Sequence, residues 1–363
     1  MNYNEIRRNT VPIRIGDLTI GAKSPIAIQS MTNTDTLDAD ATIAQLRALQ
    51  SAGCDIARLT VPNPDAARTI CKIKEAGVAM PIVADIHFDY KAALASVSAG
   101  ADKIRINPGN IGSDERVREV CRACTLHNIP IRIGVNGGSL EKHILEKHGS
   151  PTPAALCESA LYHIRLLEKF DFNNIVISIK SSDPYGMIKA NELLADSCKY
   201  PIHIGVTEAG SETVGTLKSA IGIGALLCSG IGDTIRVSLT ADPVKEIAAA
   251  KSILSAIGLE GMTGLSVVSC PTCGRTKIDL IRIVHEFEDA ASKECITDIP
   301  IKVAIMGCVV NGPGEAREAD IGIAGGVGEA VLFSHGKIIR KIDEKDIVST
   351  LIGEIKKYDR DPK

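Results

Sequence analysis

The sequence predicts an α/β protein in which a (β/α)8 TIM barrel is followed by a smaller α+β domain. The first observation behind this prediction is that β-rich segments alternate with amphipathic helical segments eight times over about 240 residues. The second is a change of pattern after Gly258, where strands and helices no longer alternate regularly. We therefore expect a barrel domain over residues 1–260 and a second domain over residues 261–363.

The eight predicted strands are β-rich, and the early ones are nearly continuously apolar, as expected for strands that are covered on both faces. They cover Pro25–Thr32, Cys54–Val61, Pro81–His87, Asp102–Asn107, Pro130–Asn136, Asn174–Lys180, Pro201–Glu208 and Asp233–Leu239. Intervals of about 20 to 30 residues leave room for one helix after each strand. The only enlarged interval predicts an extra loop over Gly137–Pro153.

An open, doubly wound sheet is the alternative architecture, and the sequence disfavours it. Such a sheet normally carries a glycine-rich turn after its first strand, whereas Met31–Asp35 contains no glycine. The second domain combines five predicted strands with two helices. The strands cover Leu265–Ser269, Ile301–Met306, Asp320–Ala324, Ala330–Ser334 and Lys337–Ile342, and the helices cover Thr276–Ala291 and Glu344–Lys357.

The composition is that of an ordinary globular protein and argues against nucleic acid as a partner. The 363 residues carry a formal net charge of −3 and show no basic tail. The amino terminus lacks the apolar segment of a secretory signal, and the longest uncharged run, Ser219–Gly232, is too short to span a bilayer. We therefore expect a cytoplasmic protein that binds no membrane.

Positively charged side chains recur where the predicted strands end, at the edge where barrels place their active sites. Residues two apart on a strand share a face, so polar residues project there in sets. These are Arg58 with Thr60, Arg105 with Asn107, Arg132 with Asn136, Ser178 with Lys180, and Arg236 with Ser238. Asp85 and Glu208 are too few to neutralise these cations, so the pattern indicates a bound polyanion such as a phosphate ester. The alternative is that the cations pair with loop carboxylates and serve only the structure.

Three residues near the strand ends keep open roles. Asp85 is placed to pair with Arg58 or Arg105, or to contact a ligand. His87 and His203 are either hydrogen-bonded strand residues or members of the site.

A metal centre is indicated in the second domain. Cys270-Pro-Thr-Cys273 is followed by Cys308 and, in a Pro- and Gly-rich segment, by Glu315. Three thiolates fit a four-iron cluster with one non-thiolate ligand, although zinc and plain buried thiols remain alternatives on spacing alone. The predicted helix that starts near Thr276 would place its positive end close to Cys273 and favour a thiolate there. The other eight cysteines are expected to be free thiols that act as small hydrophobic residues.

These motifs resemble one known family over essentially the whole chain: the bacterial, two-domain, flavodoxin-dependent 4-hydroxy-3-methylbut-2-enyl diphosphate synthases. The resemblance rests on Gln29–Thr34, Asp85–Phe88, Lys103–Gly109, Arg132–Asn136, Gly230–Leu239, Ser269–Arg275 and Met306–Glu315. The last two segments together are highly specific, and no ligand of the family pattern is missing.

The resemblance implies a reaction and a set of site residues. The substrate would be 2-C-methyl-D-erythritol 2,4-cyclodiphosphate, which two electrons convert to (E)-4-hydroxy-3-methylbut-2-enyl diphosphate and water. Flavodoxin or ferredoxin would supply the electrons through a [4Fe-4S] cluster held by Cys270, Cys273, Cys308 and Glu315. Substrate contacts would map onto Arg58, Arg105, Asn107, Arg132, Asn136, Lys180, Thr207, Arg236 and Ser238. We expect Glu208 to act as the acid–base group and Glu315 as an exchangeable, catalytically important ligand.

The predicted topology also bears on assembly. The helix after the eighth strand returns the chain to the edge of the barrel opposite the site, and a linker of about six residues reaches roughly 20 Å at most. We therefore expect a head-to-tail homodimer in which the cluster domain serves the partner's barrel. Two other functions remain open: a zinc-clipped barrel lyase or transferase that acts on a phosphorylated substrate, and an iron–sulfur electron carrier with a vestigial barrel.

Overall fold

The computed structural model describes residues 3–259, 264–297, 299–309 and 318–360. The chain divides into two compact units, residues 1–253 and residues 254–363. Within the described ranges, none of the helices combines the length and the apolar character that crossing a bilayer requires.

The first unit opens with a short helix and a hairpin that the sequence analysis did not predict. Helix α1 (Tyr3–Ile6) precedes the antiparallel strands β1 (Ile13–Ile15) and β2 (Leu18–Ile20). Apolar side chains of this hairpin pack against residues at the start of the barrel strands. This cluster comprises Ile13, Ile15, Ile20, Ala27, Ile56, Val83 and Val176. The hairpin therefore closes the amino-terminal end of the barrel with an apolar plug.

Eight parallel strands form a closed barrel, and each of the eight predicted strands is confirmed. They are β3 (Ala27–Met31), β4 (Ile56–Thr60), β5 (Ile82–Asp85), β6 (Lys103–Ile106), β7 (Ile131–Asn136), β8 (Ile175–Lys180), β9 (His203–Ile204) and β10 (Thr234–Ile235). The strand order is β8-β7-β6-β5-β4-β3-β10-β9, and a parallel bridge between Ile177 and Ile202 closes the ring. The last two strands are shorter than predicted, with two residues each.

Helices follow the barrel strands as the predicted alternation requires. They are α2 (Ala39–Ser51), α3 (Pro64–Glu75), α4 (Tyr90–Ser98), α5 (Pro108–Ile111), α6 (Asp114–Leu126), α7 (Lys142–His148), α8 (Pro153–Glu168), α9 (Pro184–Ser197), α10 (Glu212–Cys228) and α11 (Pro243–Ala256). Side-chain oxygens of Asp38, Asn63 and Asp183 accept the amide hydrogens of the first turns of α2, α3 and α9. The loop predicted over Gly137–Pro153 instead contains a 3₁₀ turn, Gly137–Ser139, and helix α7.

In its described residues, the second unit is a five-stranded mixed sheet with two helices. Its elements are β11 (Ser266–Ser269), α12 (Leu280–Lys293), β12 (Lys302–Met306), β13 (Ile321–Gly325), β14 (Glu329–Ser334), β15 (Lys337–Asp343) and α13 (Ile347–Arg360). Strands β11, β12 and β13 are parallel, whereas β14 and β15 continue the sheet antiparallel. Both helices contribute buried apolar residues, such as Phe287 and Leu351, to the core beneath the sheet. All five predicted strands and both helices are confirmed, but α12 begins four residues later than predicted.

Candidate functional site

A cavity of about 420 Å³ lies at the carboxyl ends of the barrel strands. All nine residues that were expected to contact substrate line this cavity. They are Arg58, Arg105, Asn107, Arg132, Asn136, Lys180, Thr207, Arg236 and Ser238. The strands bring them together because residues that alternate along a parallel barrel point to the same interior.

Asp85 is shared by two arginines of the cavity wall. Its Oδ1 accepts a hydrogen bond from Arg105 Nη1 at 3.0 Å, and its Oδ2 lies 3.6 Å from Arg58 Nε. Burial raises the pKa of this carboxyl, but Arg58, Arg105 and Arg132 outweigh it and lower the pKa to about 2. Asp85 is therefore an ionised structural partner of the arginines.

A second carboxylate, Glu246, escaped the sequence analysis. It lies in the first turn of α11, is 4% exposed, and contacts Arg236 Nη2 at 3.2 Å through Oε1. Its Oε2 accepts a hydrogen bond from Ser30 Oγ at 2.7 Å. Glu246 belongs to a helix, so the strand-end spacing that revealed the cations could not reveal it.

Arg132 and Lys180 are less well compensated: Asp85 attracts Arg132 at longer range, but no carboxylate in the described part of the chain is hydrogen-bonded to Arg132. Arg132 is fully buried, and none of its three guanidinium nitrogens has a hydrogen-bond partner among the described residues. Burial, together with the neighbouring arginines Arg58, Arg236, Arg132 and Arg105, lowers the pKa of Lys180 well below its ordinary value. The cavity wall thus has a surplus of positive charge that an anion of suitable size would neutralise.

Three polar side chains that line the cavity, those of Asn107, Asn136 and Ser139, are joined by hydrogen bonds. Asn107 Nδ2 donates to Ser139 Oγ at 2.8 Å, and Ser139 Oγ lies 2.9 Å from Asn136 Oδ1. Asn107 Oδ1 in turn accepts the backbone N–H of Gly109 at 3.0 Å. Ser139 lines the cavity and was missed, because the 3₁₀ turn that carries it was predicted as loop.

The other predicted barrel residues fall in different places. Glu208 is exposed and has a left-handed backbone conformation, with φ of 51°, directly after the cavity residue Thr207. It is not among the residues that line the cavity. His87 is exposed and lines the cavity, whereas His203 is buried and its Nδ1 lies 2.7 Å from Thr234 Oγ1.

In the second unit, two of the predicted thiol ligands follow neighbouring parallel strands. Cys270 comes directly after β11, and Cys308 comes two residues after β12, so both lie beyond the same edge of the sheet. The backbone N–H of Gly307 donates to Cys270 Sγ at 3.2 Å. An N–H aimed at sulfur is an interaction that stabilises thiolates and tunes iron–sulfur centres.

Cys273 is exposed, and Arg275 holds its pKa below the ordinary value. The backbone N–H and the side chain of Arg275 both favour the thiolate, and Thr276 adds a weaker hydrogen bond. The expectation that a helix beginning near Thr276 stabilises this thiolate is wrong, because α12 begins at Leu280 with Asp279 as its N-cap. The Cys273 thiolate is stabilised by the neighbouring residues Arg275 and Thr276 instead.

The predicted cluster ligands do not form a metal site in the described part of the chain. Among the described residues no group of three or more His, Cys, Asp or Glu side chains is arranged to hold a metal ion. Glu315, the fourth predicted ligand, lies outside the described residues. The donor set nevertheless fits an iron–sulfur cluster in kind, because Cys270 and Cys308 share one sheet edge and Cys273 has a lowered pKa.

The remaining cysteines differ from this trio. All eleven cysteines lie in the described ranges, and none of them forms a disulfide there. Burial raises the pKa of Cys54 and of Cys121 to about 12, so these thiols are unreactive core residues. Cys71, Cys228 and Cys295 are exposed, contrary to the expectation that all eight serve as small hydrophobic residues.

The fold and the site define a TIM-barrel protein with a cation-rich cavity and an appended α+β unit that carries three of the cysteines predicted as ligands. Residues 10–251 match the family described as the GcpE TIM-barrel domain, and residues 266–357 match the GcpE protein C-terminal domain. A Geobacillus kaustophilus protein named 4-hydroxy-3-methylbut-2-en-1-yl diphosphate synthase (flavodoxin) is 55% identical over 97% of this chain and 92% of its own length. A Clostridium perfringens protein of the same name is 56% identical over 95% of this chain and 98% of its own length. The chain belongs to this synthase family, as an oxidoreductase of isoprenoid biosynthesis.

A solved structure supports the barrel alone. A crystal structure of Plasmodium falciparum HPPK-DHPS with pterin and p-hydroxybenzoate is 12% identical and has a TM-score of 0.51. The similarity covers 69% of this chain and 49% of that chain. The alternative of a zinc-clipped lyase or transferase finds no support in these comparisons.

Proposed function

We propose that the barrel cavity binds 2-C-methyl-D-erythritol 2,4-cyclodiphosphate and that the protein reduces it to (E)-4-hydroxy-3-methylbut-2-enyl diphosphate. The reaction consumes two electrons and two protons, opens the ring and releases one water. The single observation that carries the proposal is the buried, unpaired guanidinium of Arg132 within a cavity whose cations outnumber its carboxylates. A cyclic diphosphate supplies the negative charge that this arrangement lacks.

The cavity residues divide into two groups in this proposal. Arg58, Arg105, Arg132, Lys180 and Arg236 bind the diphosphate oxygens, and the arginines offer forked pairs of N–H groups. Asn107, Asn136, Thr207 and Ser238 orient the substrate's hydroxyl groups. Ser139 holds the side chains of Asn107 and Asn136 in position through the hydrogen bonds described above.

We propose that Cys270, Cys273, Cys308 and Glu315 hold a [4Fe-4S] cluster. When bound, this group supplies the single electrons that the reaction needs. Three thiolates and one carboxylate match the donor requirement, and the Gly307 amide already points at Cys270 Sγ. A carboxylate is a harder and more exchangeable ligand for iron than a thiolate. We therefore assign Glu315 a catalytic role in addition to its role as a ligand.

Glu208 is our candidate proton donor. It directly follows the cavity residue Thr207, and its left-handed backbone is a conformation that non-glycine residues rarely adopt outside functional or turn positions. A Glu208→Gln variant keeps the size and removes the acid. We expect substrate affinity to be kept and kcat to fall by about a hundredfold or more, and an unchanged kcat would exclude this role.

The electron donor is proposed to be flavodoxin, which the relatives' names contain, with ferredoxin as the alternative.

We propose a head-to-tail homodimer in which each cluster unit serves the barrel of the partner. The support is topological: α11 follows the last barrel strand and so returns the chain to the edge opposite the cavity. We place the reaction in the cytoplasm, where a reducing environment keeps cysteines as free thiols.

Mixed dimers test this assembly. An Arg132→Met chain and a Cys308→Ser chain would each be inactive alone, but a mixed dimer would contain one barrel and one cluster unit that are both intact and face each other. We expect partial activity to return on mixing. Absence of any recovery, with mixed dimers demonstrated by differential tags, would contradict the head-to-tail arrangement.

Substrate binding tests the function itself. We expect the cyclic diphosphate to raise the Tm of the wild-type protein and to bind in isothermal titration, whereas Arg132→Met should lose most of the affinity. Lys72→Met on the exposed face of α3 removes the same charge away from the cavity and should bind normally. Equal affinity in wild type and Arg132→Met would show that the cavity is not the substrate site.

A further inference from the structure

A buried polar layer lies inside the barrel between the apolar plug and the cavity. It consists of Gln29, Lys103, His203 and Thr234, each of which is 0% exposed. Arg132 is also 0% exposed but lies one level above this layer, because it pairs in register with Arg105 and lines the cavity. The position of this layer along the barrel axis follows from the strands, in which every second residue points to the interior. Gln29 lies two residues after Ala27 of the plug cluster and two residues before Met31 of the cavity wall. Lys103 and Thr234 likewise precede the cavity residues Arg105 and Arg236 by two positions.

Lys103 and the Arg132 side chain above it have no hydrogen-bonded carboxylate among the described residues. Within the same part of the chain, Lys103 Nζ has no hydrogen-bond partner. Arg132, whose nitrogens are also unpaired, is the strongest electrostatic neighbour of Lys103. Burial and the charges of Arg132 and Arg58 lower the pKa of Lys103 well below its ordinary value. A positive charge on Lys103 is therefore opposed by burial and by the like charges of Arg132 and Arg58.

The acceptors that this layer offers are neutral. Gln29 Oε1 and His203 Nε2 are buried and have no hydrogen-bond partner among the described residues. Because His203 Nδ1 lies 2.7 Å from Thr234 Oγ1, a neutral imidazole that donates from Nδ1 leaves the Nε2 lone pair for the cations. Burial and the charges of Arg132, Lys180 and Lys103 lower the pKa of His203 well below its ordinary value, which keeps the ring neutral.

We propose that Lys103 is a positioning residue for the anion site: its charge beneath Arg132 keeps that guanidinium available for the substrate's diphosphate, while the neutral Gln29 and His203 add no negative charge that would compete for it. A carboxylate at this level would pair with Arg132 and compete with the substrate. A second cation does the opposite, because the repulsion is relieved only when an anion enters the cavity. This inference rests on the proposed function, since it assigns the same cavity a cyclic diphosphate.

The proposal predicts that stability and affinity change in opposite directions. Lys103→Met keeps the length of the side chain and removes the charge. Because a buried, uncompensated cation is unfavourable, the ligand-free variant should have a Tm equal to or above that of wild type. Its affinity for the cyclic diphosphate should be weaker by about tenfold or more, seen as a higher KM with kcat within about threefold of wild type.

The experiment uses the full-length, anaerobically purified protein with its cluster. Thermal melts without ligand, isothermal titration with the cyclic diphosphate and steady-state kinetics are compared for wild type, Lys103→Met and the surface control Lys72→Met. If Lys103→Met does not fold or has a lowered Tm, Lys103 stabilises the fold and the proposal is wrong. If the affinity of Lys103→Met for the cyclic diphosphate is unchanged, Lys103 has no influence on the anion site and the proposal is also wrong. Titration with inorganic pyrophosphate gives the same comparison independently of substrate identity. If wild type binds pyrophosphate but not the cyclic diphosphate, the proposed function fails and the Lys103 comparison still stands.

Discussion

Arg105 donates from Nη1 to Asp85 Oδ1 across 3.0 Å, and this buried ion pair anchors the wall of the cavity. The same carboxylate lies within 3.6 Å of Arg58, so one acid keeps two arginines in place. Asp85 cannot serve as a proton donor near neutral pH, because the arginines lower its pKa to about 2 against the effect of burial. Its contribution is structural and depends on its charge.

Asp85→Asn should change the acid stability of the protein. The pKa of Asp85 falls from an ordinary 3.8 to about 2 on folding, so its contribution is fully present above about pH 4. That contribution, on the order of 2 kcal/mol, is lost as the pH falls towards about 2. Urea unfolding between pH 5 and pH 2.5 should therefore show a shallower pH dependence in Asp85→Asn than in wild type. Asp65→Asn, whose carboxylate is exposed, is the matched control. Identical pH slopes in wild type and Asp85→Asn would refute this linkage.

Cys308→Ser should abolish the iron–sulfur cluster and turnover while leaving the barrel able to bind substrate. The reason is that Cys308 is one of only three proposed thiolate ligands, whereas the cavity residues all lie in the first unit. Cys295→Ser, at an exposed cysteine of the same unit, should keep full iron content. The measurements are iron and acid-labile sulfide content, the visible spectrum and titration with the cyclic diphosphate. A Cys308→Ser protein with wild-type iron content would remove Cys308 from the ligand set.

Cys273 should be the first of these thiols to be alkylated in the metal-free protein. It is exposed and its pKa is lowered by Arg275, whereas burial raises the pKa of Cys54 to about 12. Brief treatment with iodoacetamide near pH 7.5, followed by peptide mass spectrometry, should give rapid labelling at Cys273 and none at Cys54 before unfolding. Loading the protein with iron and sulfide should protect Cys273. Labelling of Cys54 at a comparable rate would be inconsistent with the described burial.

Asp233→Asn should destabilise the fold without affecting catalysis. Asp233 Oδ1 lies 2.9 Å from Arg7 Nη2, both side chains are 2% exposed, and Oδ2 accepts the backbone N–H of Ile202 at 2.8 Å. Neutralising the acid leaves the Arg7 charge buried, which should lower the free energy of unfolding by about 3 kcal/mol. Asp17→Asn at the exposed turn of the hairpin should cost less than about 0.5 kcal/mol. Equal stability of wild type and Asp233→Asn would contradict the role of this pair in anchoring the amino terminus.

The sequence was most informative about the barrel strands and their cationic ends. Buried strands of a parallel barrel are runs of β-branched residues, and the two-residue repeat places Arg105 and Asn107 on one face. The same two-residue repeat also places Lys103 on the face of Arg105, one step closer to the amino terminus. The buried polar layer could therefore have been predicted from the sequence.

Other features depend on packing that no short-range pattern reports. Glu246 reaches Arg236 only because α11 docks with its first turn over the end of β10. The hairpin was missed because its strands contain three residues each, although Gly16, with φ of 58°, marks its turn. The start of α12 was misplaced because Asp279, rather than a residue near Thr276, caps it.

Anaerobic analysis of iron and acid-labile sulfide, combined with turnover of the cyclic diphosphate by the same preparation, decides whether this chain is an iron–sulfur enzyme. We expect four irons and four sulfides per chain, as in a [4Fe-4S] centre. We also expect activity to rise and fall with that content. Full conversion of 2-C-methyl-D-erythritol 2,4-cyclodiphosphate by protein that contains no iron would contradict this expectation.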